Sequence, residues 1–316
     1  MALRLPDKWI WDFWLVRDGA DHHLFYLQAA NTIGHPDARH WNVSIGHAVS
    51  NDLMRWVTLP DALRPGPPGA WDDASTWTGS VIAVEGRWFL LYTGTSAADG
   101  GLVQRIGLAE SDDLIRWRRH ERPVLEADPR WYETLDCRAW HDQAWRDPWV
   151  FIHPDDGQFH VLLTARARTG DPAGRGVVGH ARSRDLRAWE VLAPVTDPMG
   201  FGQMEVPQLV PLHGRWYLLF CSDIETQGAR RRDHGPGTGT FYLVGDAPTG
   251  PFRMLGDGVL EADRNGSTYA GKLHETTDGT VLFLAWRRTR PGGGFHGALA
   301  DPRPVEVLPD GALRIR

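Results

Sequence analysis

Apolar residues along this chain fall in short runs separated by Gly, Pro, Asp and Asn. Five runs share one form, a turn followed by an apolar strand with an aromatic residue at or near its start. They are HHLFYLQ (22–28), GRWFLLYTG (86–94), GQFHVLLTA (157–165), GRWYLLFCS (214–222) and GTVLFLAW (279–286). Tyr26, Tyr92, Leu163, Phe220 and Leu284 take equivalent places, 57 to 71 residues apart. Helical periodicity is nearly absent, and the β-branched, aromatic composition of the runs suits strands.

Each run opens a longer repeat. A further strand follows it: WNVSIGHAVS, QRIGLAES, GVVGHARS, GTFYLVGDA and GFHGALADP. Next comes a turn, written NDLMRW (51–56), DDLIRW (112–117) and RDLRAW (184–189), and APTGPF (247–252) in the fourth unit. A last strand closes the unit. A period of this length suits a four-stranded β-unit. The expected fold is all-β: a five-bladed propeller of four antiparallel strands per blade, filling residues 1–316 as one domain. A β-sandwich is the alternative, but it does not account for a fivefold period. In the recurring turns, Asp52, Asp113 and Asp185 can bond the backbone two residues on. Trp56, Trp117 and Trp189 follow at a fixed offset and read as packing residues, as do Trp88 and Trp216.

The first strand of each unit carries the chemistry. Asp12 lies 14 residues before Tyr26, Asp147 lies 16 before Leu163 and Glu205 lies 15 before Phe220. Thr78 and Tyr269 hold the same phase in the other two units. In a propeller these innermost strands line the central channel, so their equivalent ends meet at one mouth. Taken singly, each acid has a structural reading: RDP is a common polar turn, and Asp12 can cap one. Taken together, three carboxylates at one phase predict a shared pocket. Desolvation and like charge there raise carboxyl pKa values unequally, which acid–base chemistry requires.

Composition narrows the function classes. A 316-residue chain that is 42% hydrophobic can bury a large core. No apolar run approaches the ~20 residues that span a bilayer, and MALRLPDKW lacks the apolar region of a secretory signal. The expectation is a cytoplasmic protein with no membrane partner. A net charge of −6 gives no reason to expect nucleic acid. Cys137 and Cys221 show no metal-ligand spacing, and neither do the histidines, so no metal or cofactor is expected. His47 and His180 recur in GHA (46–48 and 179–181) and read as repeat features. GARRRD (228–233) reads as a solvated loop of the fourth unit, with contact to a phosphorylated sugar or closure over the pocket as its alternatives.

At these residues the chain resembles glycoside hydrolase family 32, the β-fructofuranosidases, and its sister family 68, the levansucrases. GHAVSNDLMRWVTLPDAL (46–63) resembles the family 32 stretch after the second strand. WTGSV resembles FSGSA, WRDPWV the RDP motif, and MEVPQLV the ECPDL motif. WDFW departs from the NDPNG of family 32 and is closer to the WD-x-W of family 68. The chain ends with the fifth unit, so the C-terminal β-sandwich usual in family 32 is not expected.

The resemblance implies a retaining double displacement on β-fructofuranosides such as sucrose or short fructo-oligosaccharides. Asp12 would be nucleophile, Glu205 acid–base, and Asp147 a non-reacting holder of ring hydroxyls. Two carboxyls flanking an oxocarbenium-like centre are what that chemistry needs. Arg146 would neutralise and orient the acids. Gln28 falls where the family has a substrate-contacting Gln. Gln28, Trp77, Thr78, Trp11, Trp14 and Tyr269 are the expected sugar contacts, with blade packing as the alternative for each of the three tryptophans. The competing readings are a fructosyltransferase, an inverting family 43-like arabinofuranosidase or xylosidase, and a non-catalytic sugar-binding propeller. A small carbohydrate is the expected partner in each case.

Overall fold

The computed structural model describes residues 3–316 and consists of five antiparallel sheets, each built from a contiguous stretch of chain. The first blade pairs Lys8–Asp18, Asp21–Ala30, Ser44–Ser50 and Val57–Leu63 in that order. The second pairs Ser75–Val84, Arg87–Thr95, Arg105–Ser111 and Arg118–Arg119. The third pairs Trp145–Ile152, Phe159–Arg166, Gly176–Ser183 and Trp189–Leu192. The fourth pairs Glu205–Leu212, Arg215–Ser222, Thr238–Gly245 and Phe252–Arg253, and Val259–Asp263 pairs further along its third strand. In the fifth, Thr268–Glu275 pairs Val281–Thr289, which carries both Phe295–Leu299 and Arg303–Val307. Leu313–Ile315 closes that blade.

This is the five-bladed propeller the repeat predicted. Each blade's first strand lies against the first strand of the next, and the fifth lies back against the first. Among the described residues no strand is exchanged between the first and last blades. Instead Leu299 N–H donates to Leu3 O at 3.0 Å, and His274 and His22 share a 2.8 Å hydrogen bond. His22 and His23 therefore lie in a strand, not in the turn their adjacency suggests.

The inner strands expose backbone edges, which must be satisfied when buried. Side chains of the neighbouring blade do this. Ser80 accepts from Val150 N–H at 2.9 Å, and Gln208 bonds Leu273 through both its donor and its acceptor, at 2.8 and 2.7 Å. Tyr92, Tyr217, Phe220 and Phe241 fill the space between sheets without exposure. The DLxxW tryptophans and Trp88 and Trp216 pack against these cores, as expected. Arg231 is the exception to the solvated reading of GARRRD, whose Arg230, Arg232 and Asp233 are exposed. Residues Ala229–His234 form a short helix, and the Arg231 guanidinium lies 3.8 Å from the Phe201 ring centroid while Nε donates to Met199 O at 2.6 Å. A cation over an aromatic face, with a carbonyl acceptor in reach, outweighs hydration there.

The recurring turn has one geometry. Asp185 Oδ1 accepts from Arg187 N–H and Ala188 N–H, both at 2.9 Å, and from the Ser183 hydroxyl at 3.1 Å. These bonds hold Leu186 at φ +63°, a left-handed conformation that disfavours a branched residue. Asp185→Ala is expected to lower unfolding free energy by about 1 kcal/mol, the usual value of a lost cap. Turnover per folded molecule should stay at the wild-type value. Urea unfolding read alongside active-site-normalised kcat checks both halves.

Candidate active site

All five innermost strands break register at their starts. The pairing shifts between Trp11 and Phe13, Thr76 and Gly79, Glu205 and Gln208, and Tyr269 and Lys272. In the third blade the shift lies opposite Asp147 and Pro148. A bulge adds a residue and re-aims its side chain. Asp147, Val206 and Ala270 sit at φ +57°, +51° and +50° within these bulges. Such conformations persist only where packing over-determines them, and they cluster at functional sites.

The bulges aim Asp12, Thr78, Asp147, Glu205 and Tyr269 into one cavity of about 570 Å³. The five positions that shared a sequence phase thus share a pocket. Their hydrogen bonding is unequal. Asp147 is the most tightly held: it accepts from the Thr78 hydroxyl on Oδ1 and from the Thr164 hydroxyl and Val206 N–H on Oδ2, the last two at 2.6 and 3.1 Å. Glu205 has both oxygens engaged, with Arg146 Nη2 at 2.5 Å on Oε1 and the Tyr269 hydroxyl on Oε2. Asp12 accepts one bond, from Trp286 Nε1 at 2.8 Å on Oδ1, and its Oδ2 has no partner among the described residues. A carboxylate oxygen free to attack is what a nucleophile needs.

Electrostatics follow from this crowding. Burial, then the charges of Asp147 and Glu205, push the Asp12 carboxyl up to about 7, against the opposing pull of Trp286 and Arg39. Burial also raises Glu205, while Arg146 and Tyr269 act to lower it. Burial alone would lower Arg146, but Glu205, Asp147 and Asp142 outweigh it and hold the guanidinium charged. Beneath the acids lies Lys272, whose Nζ donates to Val206 O at 2.6 Å. Burial lowers it to about 8, although Cys221, Asp147 and Asp12 favour its charge. Asp12 and Glu205 therefore titrate as a coupled pair rather than as independent groups.

Most of the expected contacts line the cavity: Trp11, Trp77, Thr78, Arg146 and Tyr269. Two do not. Gln28 bonds Asp61 Oδ1 at 2.7 Å and Ser44 Oγ at 3.1 Å, away from the acids. Its neighbour Leu27 lines the cavity instead. Side chains alternate along a strand, so one residue of phase moves a side chain to the other face. Trp14 is buried and stacks on Phe25, with ring centroids 5.8 Å apart, as a blade-packing residue. It lies beyond the bulge, down the strand from the mouth.

Several wall residues had no periodic signal. Arg39, His40 and Trp41 come from the short helix Pro36–Trp41, which folds over the mouth between two strands of the first blade. His40 O accepts from Trp77 Nε1 at 2.9 Å. Burial lowers the His40 imidazole to about 3, with Arg39 and Arg146 adding to it, so it is neutral. Trp286 reaches Asp12 from the second strand of the fifth blade. Gln104, Asp142, Gln203 and Asp223 complete the wall from inter-strand loops. Among the described residues no group of His, Cys, Asp and Glu has metal-site geometry.

Residues 12–306 match the family described as Glycosyl hydrolases family 32 N-terminal domain. A sucrose-6-phosphate hydrolase of Zymomonas mobilis is 26% identical over 313 residues, covering 91% of this chain and 55% of that protein. Beta-fructofuranosidase 1 of Zea mays is 38% identical over 166 residues, 48% of this chain and 23% of that protein. The chain thus spans less than two-thirds of these relatives' length. Among solved structures, the inulosucrase from Halalkalicoccus jeotgali bound to kestose superposes with a TM-score of 0.82 at 23% identity, over 100% of this chain and 89% of that one. A Bombyx mori family 32 β-fructofuranosidase superposes at 0.74 and 22% identity, over 100% of this chain and 64% of that one. At these identities the superpositions establish the fold.

Proposed function

The chain belongs to glycoside hydrolase family 32, and from that premise we propose that it cleaves β-fructofuranosides, sucrose or short fructo-oligosaccharides, by retaining double displacement. The observation that carries this reading is the unequal engagement of three carboxyls around one cavity: Asp12 with an open oxygen, Glu205 held by Arg146 and Tyr269, and Asp147 pinned by three hydrogen bonds.

In this mechanism Asp12 Oδ2 attacks the anomeric carbon while Glu205 protonates the departing oxygen. A covalent fructosyl–Asp12 ester results. Glu205, now a carboxylate, takes a proton from water, which attacks the same carbon and regenerates Asp12. Asp147 cannot swing to react without breaking its bonds to Thr164 and Val206, so it offers fixed lone pairs to the sugar. Fixed acceptors need no reorganisation as charge develops on the ring. Transfer to a sugar acceptor uses the same ester and differs only in what replaces water. The relatives include a 6(G)-fructosyltransferase of Asparagus officinalis, 32% identical over 135 residues that cover 36% of this chain and 21% of that protein.

The first experiment is to follow sucrose hydrolysis by NMR from the earliest time points. Retention releases β-fructofuranose, which then mutarotates. Initial release of the α-anomer would mean one-step inversion and would remove the nucleophilic role from Asp12. Failure to release fructose from any fructoside, with arabinosides or xylosides cleaved instead, would reject the substrate class.

A further inference from the structure

Glu205 is aimed by a stretch of backbone that its own sheet does not hold. The pairing of Glu205–Leu212 with Arg215–Ser222 passes from Glu205 opposite Cys221 to Gln208 opposite Leu219, and skips Val206 and Pro207. Pro207 has no N–H to give. Val206 is β-branched and precedes a proline, and both features favour extended backbone, yet it sits at φ +51°. Such a conformation holds only where its surroundings fix it.

Neighbouring blades fix it from both sides. From the third blade, Asp147 Oδ2 and Thr164 Oγ1 each accept from Val206 N–H at 3.1 Å. From the fifth, Lys272 Nζ donates to Val206 O at 2.6 Å and to Pro207 O at 3.4 Å. The bulges at Asp147 and Ala270 are held by hydroxyls: Thr93 accepts from Asp147 N–H at 2.9 Å, and Thr240 from Gly271 N–H at 3.1 Å. The bulge after Glu205 adds a cation. It presents two carbonyls to one side, and an ammonium with its three N–H donors answers both. Burying that charge is costly, and Lys272 is only 2% exposed. The wall of the active-site cavity does not include Lys272, which lines a smaller cavity of about 180 Å³ with Trp149 and Gln208. It therefore reaches Glu205 through the backbone and not through the sugar.

We propose that Lys272 is a positioning residue for Glu205, clamping the Val206 and Pro207 carbonyls from the fifth blade so that the carboxyl points at the departing oxygen. This rests on the fructofuranosidase reading above, in which Glu205 gives that oxygen its proton. Without the clamp, Val206 O loses its donor, and a residue held at φ +51° can relax toward extended backbone. That relaxation moves Glu205, the residue next to it. Asp12 stands on another blade, and Asp147 keeps its bonds to Thr78 and Thr164. A misplacement of about 1 Å can cost on the order of 10²-fold in rate. Here the cost falls on proton transfer and spares nucleophilic attack.

The test uses Lys272→Met, which removes the ammonium and keeps the length and the apolar stem, and Lys272→Gln, which is uncharged and one bond shorter. The Met variant should fold with a Tm near that of wild type, because it also removes a charge that is costly to bury. Each variant is read as the ratio of kcat/KM on sucrose to kcat/KM on a nitrophenyl β-D-fructofuranoside, whose phenolate leaves with little help from a proton. Because kcat/KM stops at formation of the ester, the later role of Glu205 as base does not enter. Unfolded protein and damage to Asp12 act on both substrates and cancel. We expect the ratio to fall at least about ten-fold in both variants. A ratio within about two-fold of wild type, even with both rates reduced, would overturn the clamp. If the rise of both rates with pH also moved to higher pH, the lysine would be acting as a charge on Asp12, Asp147 and Cys221, whose charges it feels. Failure of both variants to fold would assign Lys272 to the fold rather than to Glu205 and would overturn it as well. Wild-type protein inert toward both substrates would reject the fructofuranosidase reading itself.

Discussion

Asp12→Asn is expected to lower kcat on sucrose by at least about 10³-fold, or ~4 kcal/mol of barrier, and at the same time to stabilise the fold. An amide cannot form the fructosyl ester, and neither of the other two acids at the strand starts is placed to replace it. Asp147 is pinned by Thr78, Thr164 and Val206, and both oxygens of Glu205 are held by Arg146 and Tyr269. The stabilisation follows from the raised Asp12 carboxyl, which burial and two neighbouring acids push to about 7. A carboxyl that binds its proton more tightly in the folded state penalises folding once it must ionise. The penalty is absent below the unfolded pKa near 4, grows as pH rises, and is complete above about 7. Asn carries no such charge. Its advantage should be near zero at pH 4 and on the order of 1–4 kcal/mol at pH 8, trimmed by water reaching a half-buried group. Thermal or urea unfolding of both proteins across that range reads it. A variant that is inactive and also less stable at pH 8 would mean that Asp12 is a structural cap.

The same pKa shapes activity. Attack needs Asp12 ionised, so wild-type kcat/KM should rise with pH through about 7. Trp286 donates the one hydrogen bond that favours the ionised form. Its loss in Trp286→Phe should therefore move that limb to higher pH.

The placement of the site was largely legible because a fivefold repeat turns sequence phase into position. Asp12, Thr78, Asp147, Glu205 and Tyr269 were grouped by their distance from a second-strand marker, and all five line the cavity. The bulges at each strand start preserve that phase in space. Phase also explains the Gln28 error. Alternation along Asp21–Ala30 leaves no tolerance, and one residue separates the cavity wall at Leu27 from the far face. Trp14 shows a different limit: an aromatic residue near an acid in sequence can belong to the next layer down the strand. Arg39 lies in a short helix, and Asp142 and Gln203 in loops, whose course no repeat encodes, so no sequence phase places them beside the acids. Trp286 could have been found in part, since FLAW sits at the equivalent of a marker strand. Nothing in its phase says that the indole crosses to the first blade.

Glu205→Gln should show an effect as large as Asp12→Asn on sucrose, yet one that depends on the leaving group, which separates the two roles. Gln preserves the size of the side chain and its contact with Arg146, so the cavity should keep its shape. What is lost is a proton to give and a base to take one back. The glucose of sucrose is a poor leaving group as an alkoxide and needs that proton, so kcat should fall at least about 10³-fold. An aryl β-fructofuranoside leaves as a stable phenolate and needs little help. Its ester should form at a rate much closer to wild type, and the ester should then accumulate because water lacks a base. A burst of phenol equal to the enzyme concentration, followed by slow turnover, is the expected trace. Azide needs no deprotonation, so it should speed that turnover and yield the β-configured fructosyl azide. The fall of kcat/KM at high pH should vanish, because it reports the proton on Glu205, which burial holds above the ordinary glutamate range. Equal losses on sucrose and on the aryl fructoside, with no burst, would show that Glu205 does not handle the leaving-group proton. Azide product of inverted configuration would remove the covalent ester from the mechanism.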